Sequence, residues 1–397
     1  MEGERELHHH DDQRSRWRHL QPCDSLPEAR HAHSCVAYGD RLFVFGGYAK
    51  GTTYLGDLWQ FSFATGKWTK LRRRGGPSPR HSHTAVVYGH SMFVFGGIGQ
   101  GGLPLNDLFC FNLEKSRWSK VALKEDSSCK APPPLWGHSA VVHADCMYVF
   151  GGFGDYISNQ LYRFDFESKR WSLLTTTTAE EHRKPPPRHL HVAIVQQDTM
   201  YIIAGFTGSR NLSDFFALSL RTKNTNKKEA EEAKLLEWRE LPPPPFGKEG
   251  RRGHKVAILQ LGDDKEAEAR PLLYVHAGRV EKDAVDDLHV FDFEKEKWFV
   301  VQSRTDEEER EKPTARYFHS MVEWRSSLWV FGGLGYDSSE AERKVDLNDF
   351  YQFHPERRLL EVGWVKEVAR RHESVFLVVL SFIIFLLAFF VFSLRTI

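Results

Sequence analysis

Apolar positions in this chain fall in short runs separated by Gly, Pro, Asp and Asn, and one kind of run recurs. It reads LFVFGG at 42–47, MFVFGG at 92–97 and MYVFGG at 147–152, then MYIIAG at 200–205, LLYVHAG at 272–278 and LWVFGG at 328–333. The runs are rich in β-branched and aromatic residues and end in small ones, which predicts strands closed by tight turns. Each repeat holds four such runs, so each predicts four antiparallel strands. A glycine pair lets the backbone turn without a Cβ penalty as the second strand ends. One run breaks the pattern. Val375 to Leu394 is twenty residues long with only Ser381 and Ser393 polar. At about 1.5 Å per helical residue it measures roughly 30 Å, the thickness of a bilayer's hydrocarbon core, and predicts a transmembrane helix.

Further columns run in phase with the glycine strands. A tryptophan recurs at Trp68, Trp118, Trp171, Trp238 and Trp298. An acidic-apolar pair recurs as Asp57-Leu58, Asp107-Leu108, Asp214-Phe215, Asp287-Leu288 and Asp349-Phe350, with Gln160-Leu161 as the departing copy. Ahead of each glycine strand stands RHAHS from Arg30, RHSHT from Arg80, LWGHS from Leu135, RHLHV from Arg188, RRGHK from Arg251 and RYFHS from Arg316. The tryptophan is expected on the fourth, outer strand, packing against the next blade, because one sheet cannot bury both of its own faces.

This set of columns resembles the kelch repeat family and covers about 340 of the 397 residues. The resemblance implies an all-β, six-bladed kelch β-propeller, which radial repetition closes into a ring. After the sixth glycine strand, Phe353 leads to Leu360 where the pattern wants Trp. The spare copy lies at the N-terminus, where SRWRHL (Ser15 to Leu20) matches GKWTKL, SRWSKV and KRWSLL. Trp17 is therefore expected on the outer strand of blade six, leaving no open edge. A competing closure uses Leu359 to Trp364. The expected organisation is a disordered 1–14, a propeller over 15–355, a basic juxtamembrane linker over 356–374, the transmembrane helix 375–394 and a short tail, 395–397. Arg221 to Glu237 in blade four is expected as a solvated excursion or short helix, and Gly262 to Pro271 is expected to lengthen a hairpin in blade five. Prolines near 131, 185 and 242 read as rigid inter-blade spacers, with docking of an SH3-like partner as the alternative.

Composition narrows the function. Lys plus Arg is 54 and Asp plus Glu is 53, so no global charge draws nucleic acid. The five cysteines (Cys23, Cys35, Cys110, Cys129, Cys146) show no metal-ligand spacing, and an odd, scattered set fits a reducing compartment. Met1 to Trp17 has no apolar h-region, so no signal peptide is expected. Only Arg395, Thr396 and Ile397 follow the apolar span, which resembles the tail-anchored class of membrane proteins. Lys366, Arg370 and Arg371 lie before the span against Arg395 alone beyond it, which places the propeller in the cytosol. High hydrophobicity and one trailing arginine favour endoplasmic reticulum or secretory membranes. The reversed topology, a lumenal or extracellular receptor, would expose the sequon Asn211-Leu212-Ser213 to glycosylation.

One face of such a propeller gathers the start of each first strand, each second-to-third loop and each inter-blade turn. There the expected partner-binding set is Arg30, Arg80, Arg188, Arg251 and Arg316, with Arg210 and Arg279. The aromatics Tyr48, Tyr54, Phe153, Tyr156, Phe206 and Tyr336 join it. Arginine and aromatic residues together are the composition of a protein interface, notably for an acidic peptide. His33, His83, His138, His191, His254 and His319 stand one per blade, so they are spread around the axis where zinc would need convergent ligands. They are expected to bond backbone near the glycine turns. The run His8-His9-His10 lies in the expected disordered terminus. No G-x-S-x-G, P-loop or H-E-x-x-H occurs. The tyrosine, histidine and cysteine set of copper-oxidase propellers cannot be assembled. The E-x-x-x-D-x-x-x-H of iron-dependent members has its nearest match in the misspaced Glu281, Asp286 and His289. No enzyme, cofactor or metal is expected, with a metal-dependent oxidase or lyase as the alternative. The phrases WRHLQPCD, VAYGDRLFVFGG and FATGKWTK are similar to the propeller of the leucine-zipper-like regulator family, whose members recruit Ras-type GTPases to a ubiquitin ligase. That resemblance implies a membrane-associated small GTPase as partner, although 397 residues leave no room for the family's BTB modules.

Overall fold

Each repeat becomes one antiparallel sheet because its four short runs can satisfy their backbone groups only against one another. The computed structural model describes residues 16–20, 25–72, 74–124, 129–177, 184–221, 236–261, 270–301, 310–337 and 343–355. Blade one is Ser34–Tyr38, Arg41–Ala49, Thr53–Ser62 and Lys67–Leu71, in that order from the axis outward. Blade two is Thr84–Tyr88, Ser91–Phe95, Leu108–Asn112 and Arg117–Lys120, and blade three is Ser139–His143, Cys146–Phe150, Leu161–Asp165 and Arg170–Leu174. Blade four is Val192–Gln196, Thr199–Phe206, Asn211–Ser219 and Leu236–Glu240, with Thr176–Thr177 added in parallel on its outside. Blade five is Lys255–Leu261, Arg270–Val280, Asp283–Asp292 and Lys297–Val301. Blade six takes Ser320–Trp324, Ser327–Tyr336 and Lys344–His354 from the C-terminal side and Arg16–His19 from the N-terminus.

The sixth blade settles the closure on the expected strand, with Trp17 opposite Phe353 in its register. Around the axis the blades are joined by a circle of backbone hydrogen bonds. Ala32 N–H donates to Phe318, Ser82 to Ala32, Gly137 to Ser82, Leu190 to Gly137, Gly253 to Leu190 and Phe318 to Gly253, all at 2.7–3.0 Å. Six donors and six acceptors return to the starting residue, so the ring is complete at six. All six residues sit at φ between 53° and 66°. Four are not glycine, and each accepts this left-handed conformation to keep its place in the circle.

The tryptophans pack between blades, but against the preceding blade in chain order, not the next as expected from the repeat alone. Trp118 of blade two lies 5.2 Å from Phe45 of blade one, Trp171 lies 5.1 Å from Phe95, and Trp68 reaches back across the closure to Phe331 at 5.2 Å. At the closing blade Trp17 meets His276, which occupies the same strand position in blade five, at 5.2 Å. These aromatic layers form the inter-blade core, and no helix among the described residues is long and apolar enough to cross a membrane. The predicted span 375–394, the linker 356–374, the tail 395–397, the competing closure at 359–364 and the terminus 1–14 lie outside the described residues, as do most of both insertions.

The histidine column bonds side chains across the blades, and His138 also meets the backbone of Phe95 and Leu135, as expected of the column. His33 Nε2 bonds Ser320 Oγ at 2.9 Å, His83 bonds Ser34 at 2.8 Å, His138 bonds Thr84 at 2.9 Å, and His191 bonds Ser139 at 2.8 Å. Each imidazole thus crosses to the hydroxyl that follows the histidine of the preceding blade. The last two blades depart. Lys255 replaces the hydroxyl facing His319, which turns to His276 Nδ1 at 3.1 Å instead. Val192 replaces the one facing His254, whose two ring nitrogens are buried without partners. Val192→Thr should supply the missing hydroxyl at nearly constant shape. We expect about 1 kcal/mol of added stability in urea unfolding, the net value of one buried hydrogen bond. A loss would show that His254 prefers its apolar surroundings.

Candidate functional site

The arginine that opens each repeat turns inward, away from any partner. Arg30, Arg80, Arg188 and Arg316 are fully buried and Arg251 is 2% exposed. Each guanidinium forks onto the carboxylate of its own blade's third strand: Arg30 on Asp57, Arg80 on Asp107, Arg188 on Asp214, Arg251 on Asp287 and Arg316 on Asp349. Their N–O distances are 2.5–3.1 Å. A third bond runs to the carbonyl of the first residue of the Gly-Gly or Ala-Gly pair, at 2.9–3.0 Å. The arginine's own carbonyl accepts the N–H of the second glycine of the preceding blade, as for Arg30 and Gly333 at 2.9 Å. That glycine has no alternative. A Cβ on Gly205 would lie 2.6 Å from the His191 Cβ, at φ +110°. The five arginines therefore brace the turns, and their expected role in partner binding is corrected: donors already spent inside the blade cannot grip another chain. Blade three keeps neither member, having Leu135 and Gln160 in their places.

The rim comes from the next residue of the column, half-buried at four positions and buried at His189 and Tyr317. His31, His81, Trp136, His189, Arg252 and Tyr317 bridge by backbone to the residue after the glycine pair: Tyr48, Ile98, Phe153, Phe206, Arg279 and Leu334. Their rings pass contacts from blade to blade. Tyr54, Tyr48 and His81 lie 5.0–5.3 Å apart in blades one and two. Trp136 and Phe153 meet His189 at 5.0 and 5.6 Å, and His189 meets Phe206 at 5.5 Å. Arg252 lies over Phe206 at 4.3 Å and Arg279 over Tyr317 at 5.5 Å. Beyond this belt Tyr156 and Leu103 stand 59% and 66% exposed, the largest exposed apolar side chains on the face.

Of the expected set, the structure brings Tyr48 with Tyr54 and links Phe153 to Phe206 through His189. Arg279 stands on the same rim, and Arg210 is exposed beside Asn211. Tyr156 projects outward, and Tyr336 is tied by its hydroxyl to the Lys282 carbonyl at 2.6 Å. The residues missed from sequence are His31, His81, Trp136, His189, Arg252 and Tyr317. Their one signal is a fixed place directly after the column's first residue.

The rim carries the charges of its arginines and of Asp346, which meets His31 Nδ1 at 2.5 Å. Burial pushes His81 and His189 down to about 4, so both imidazoles are neutral at physiological pH. Elsewhere burial lowers Lys255 to about 8 and raises the Cys35 thiol to about 12, which disfavours its thiolate. Among the described residues no three His, Cys, Asp or Glu side chains converge on a possible metal position.

Residues 2–179 and 124–261 match the KLHDC2/KLHL20/DRC7 Kelch-repeats domain. The chain is similar to the human leucine-zipper-like transcriptional regulator 1, 29% identical over 345 residues, 83% of this chain and 39% of that protein. Its Drosophila melanogaster homolog is 26% identical over 386 residues, 85% of this chain and 32% of the relative. Human Kelch domain-containing protein 10 is 26% identical over 376 residues, 88% of this chain and 63% of the relative. The chain thus spans about a third of the regulator relatives and under two thirds of the third protein. The solved structure of YjhT superposes with a TM-score of 0.60 over 82% of this chain and 95% of that one, at 18% identity, a likeness of fold alone.

Proposed function

Because this chain belongs to the KLHDC2/KLHL20/DRC7 kelch-repeats family, we propose that it is a non-enzymatic, membrane-anchored adaptor whose rim binds a protein partner. The observation that carries the reading is the division of labour among the arginines. Five are consumed in bracing turns, while Arg252, Arg279 and Arg210 stand on the rim beside Phe206 and Tyr317. Exposed Tyr156 and Leu103 add apolar contact across the mouth. Aromatic and arginine residues around a concave centre are what interface hot regions are made of. The partner in this reading carries an acidic segment, and a membrane-associated small GTPase is the specific candidate that the likeness to leucine-zipper-like regulators supports.

The apolar span 375–394 anchors the chain by its C-terminal end, with the propeller in the cytosol and endoplasmic reticulum or secretory membranes as its site. Anchor and partner on one surface would meet in two dimensions, which raises their effective concentration. Affinity capture with the full chain in mild detergent tests the face. Arg210→Glu with Arg279→Glu should abolish capture of the partner without moving the unfolding midpoint, and undiminished capture would sink the reading. For the anchor, Leu386→Arg with Leu387→Arg should release the chain from carbonate-washed membranes. Asn211 should stay unglycosylated; a glycan there would reverse the topology.

A further inference from the structure

Arg252 and Arg279 of the rim have no anion among the described residues, unlike the five arginines of the repeat column. Among the described residues every buried arginine of the repeat column has its carboxylate within 3.1 Å, whereas neither Arg252 nor Arg279 has an ion-pair partner. Their backbones are paired. Arg279 N–H donates to the Arg252 carbonyl at 2.8 Å, and Arg252 N–H returns to Arg279 at 3.1 Å. Burial and the Arg279 charge lower the pKa of Arg252, the mark of a cation pair that lacks its counter-charge. Asp346, which faces Tyr317 from blade six, is committed to His31 Nδ1 at 2.5 Å and to the Lys50 N–H at 2.7 Å.

Both side chains are nonetheless fixed in place. Arg252 lies 4.3 Å over the Phe206 ring and donates from Nη1 to Asn211 Oδ1 at 2.6 Å. Arg279 lies over Tyr317, and its Nε is buried with no acceptor. A preorganised guanidinium loses little freedom when it takes a ligand. Arg210, one residue before Asn211, adds a third cation that is exposed.

From this arrangement we infer that Arg252 and Arg279 form a subsite for a phosphorylated side chain of a partner protein. The charge balance selects the ligand. A carboxylate brings one negative charge and leaves one guanidinium uncompensated. A phosphoryl group carries about −1.5 to −2 at neutral pH, with three acceptor oxygens that two forks can share. Phosphorylation of the partner would then turn its docking on. The inference rests on the proposed interaction face, and the experiment separates the two.

Binding to the full chain in detergent is measured by fluorescence anisotropy with degenerate peptides centred on phosphoserine, on serine and on glutamate, with inorganic phosphate as competitor. The phosphoserine set should bind roughly tenfold or more tightly than the glutamate set, the worth of one added charged hydrogen bond. Arg252→Gln and Arg279→Gln should each erase that preference at an unchanged unfolding midpoint. Lysine at either place should restore part of it, as charge without the fork. Equal binding of phosphoserine and glutamate sets would make this a carboxylate site and overturn the inference. So would a preference that survives both glutamine changes, or displacement by phosphate at the concentration of the peptide itself. If serine peptides bind as tightly as phosphoserine peptides and are lost with Arg210→Glu and Arg279→Glu, the face stands and the phosphoryl subsite falls. If no set binds, both fall.

Discussion

Asp57→Ala should destabilise the propeller by about 3–5 kcal/mol, the cost of stranding one member of a buried ion pair. Arg30 is fully enclosed and has two bonds on Asp57, at 2.7 and 3.1 Å, and one on the Gly46 carbonyl at 3.0 Å. The change would also orphan Trp59 Nε1, which donates to the same carboxylate at 2.7 Å. An ordinary exposed pair would be worth no more than about 1 kcal/mol, so a loss that small would refute the bracing role. Blade three supplies the control. There Leu135 and Gln160 stand where arginine and aspartate would, and Gln160 Oε1 accepts from the Tyr162 hydroxyl as Asp57 accepts from Trp59. Arg30→Leu with Asp57→Gln copies that solution and removes the charge together with its counter-charge. The double variant should recover much of the loss, with a coupling of about 1–3 kcal/mol in the mutant cycle.

Acid should act on the same bond. Burial alone would raise the Asp57 carboxyl, but the hydrogen bond and charge of Arg30 outweigh it, and its pKa is lowered. A carboxylate depressed by folding contributes stability above its unfolded value of about 3.9, and that stability is lost as pH falls through the folded value. The Asp57→Ala variant should therefore show a flatter acid limb below about pH 4 than the parent.

The columns of the sequence carried the fold because each is a steric or packing necessity repeated six times. A glycine whose Cβ would stand 2.6 Å from that of a histidine, or a tryptophan filling one inter-blade gap, admits few substitutes. The arginine column was equally visible, but its meaning was hidden. Position at a strand start suggested the open face, whereas the partner that draws the side chain inward stands 27 residues later in blade one. The clue was the third repeat, which loses Arg and Asp together, as members of one bond must. The rim itself was illegible for the opposite reason. Its six column residues are His, His, Trp, His, Arg and Tyr, and a position whose identity changes from blade to blade gives no repeat signal. Only the backbone bridge to the residue after each glycine pair shows that they share a ring.

The seam of that ring bears the largest expected effect. Trp17 is 8% exposed, lies 4.9 Å from Phe353, 5.2 Å from His276 and 6.4 Å from Tyr351, and joins the apolar cluster that welds blades five and six. Trp17→Ala should cost about 3–5 kcal/mol, the range for deleting a buried aromatic. Removing residues 1–20 should do more. It strips every partner from the edge Tyr351–His354 and the Leu20 N–H from the Phe350 carbonyl. An unpaired strand edge of this kind recruits other chains, so the truncated protein should aggregate at concentrations where the parent remains dispersed. Trp364→Ala separates this closure from its rival, since a strand at 359–364 that completed blade six would make Trp364 the costly residue and Trp17 the tolerant one. With Trp17 seated against His276, the order should be the reverse, and Trp364→Ala should cost less than Trp17→Ala.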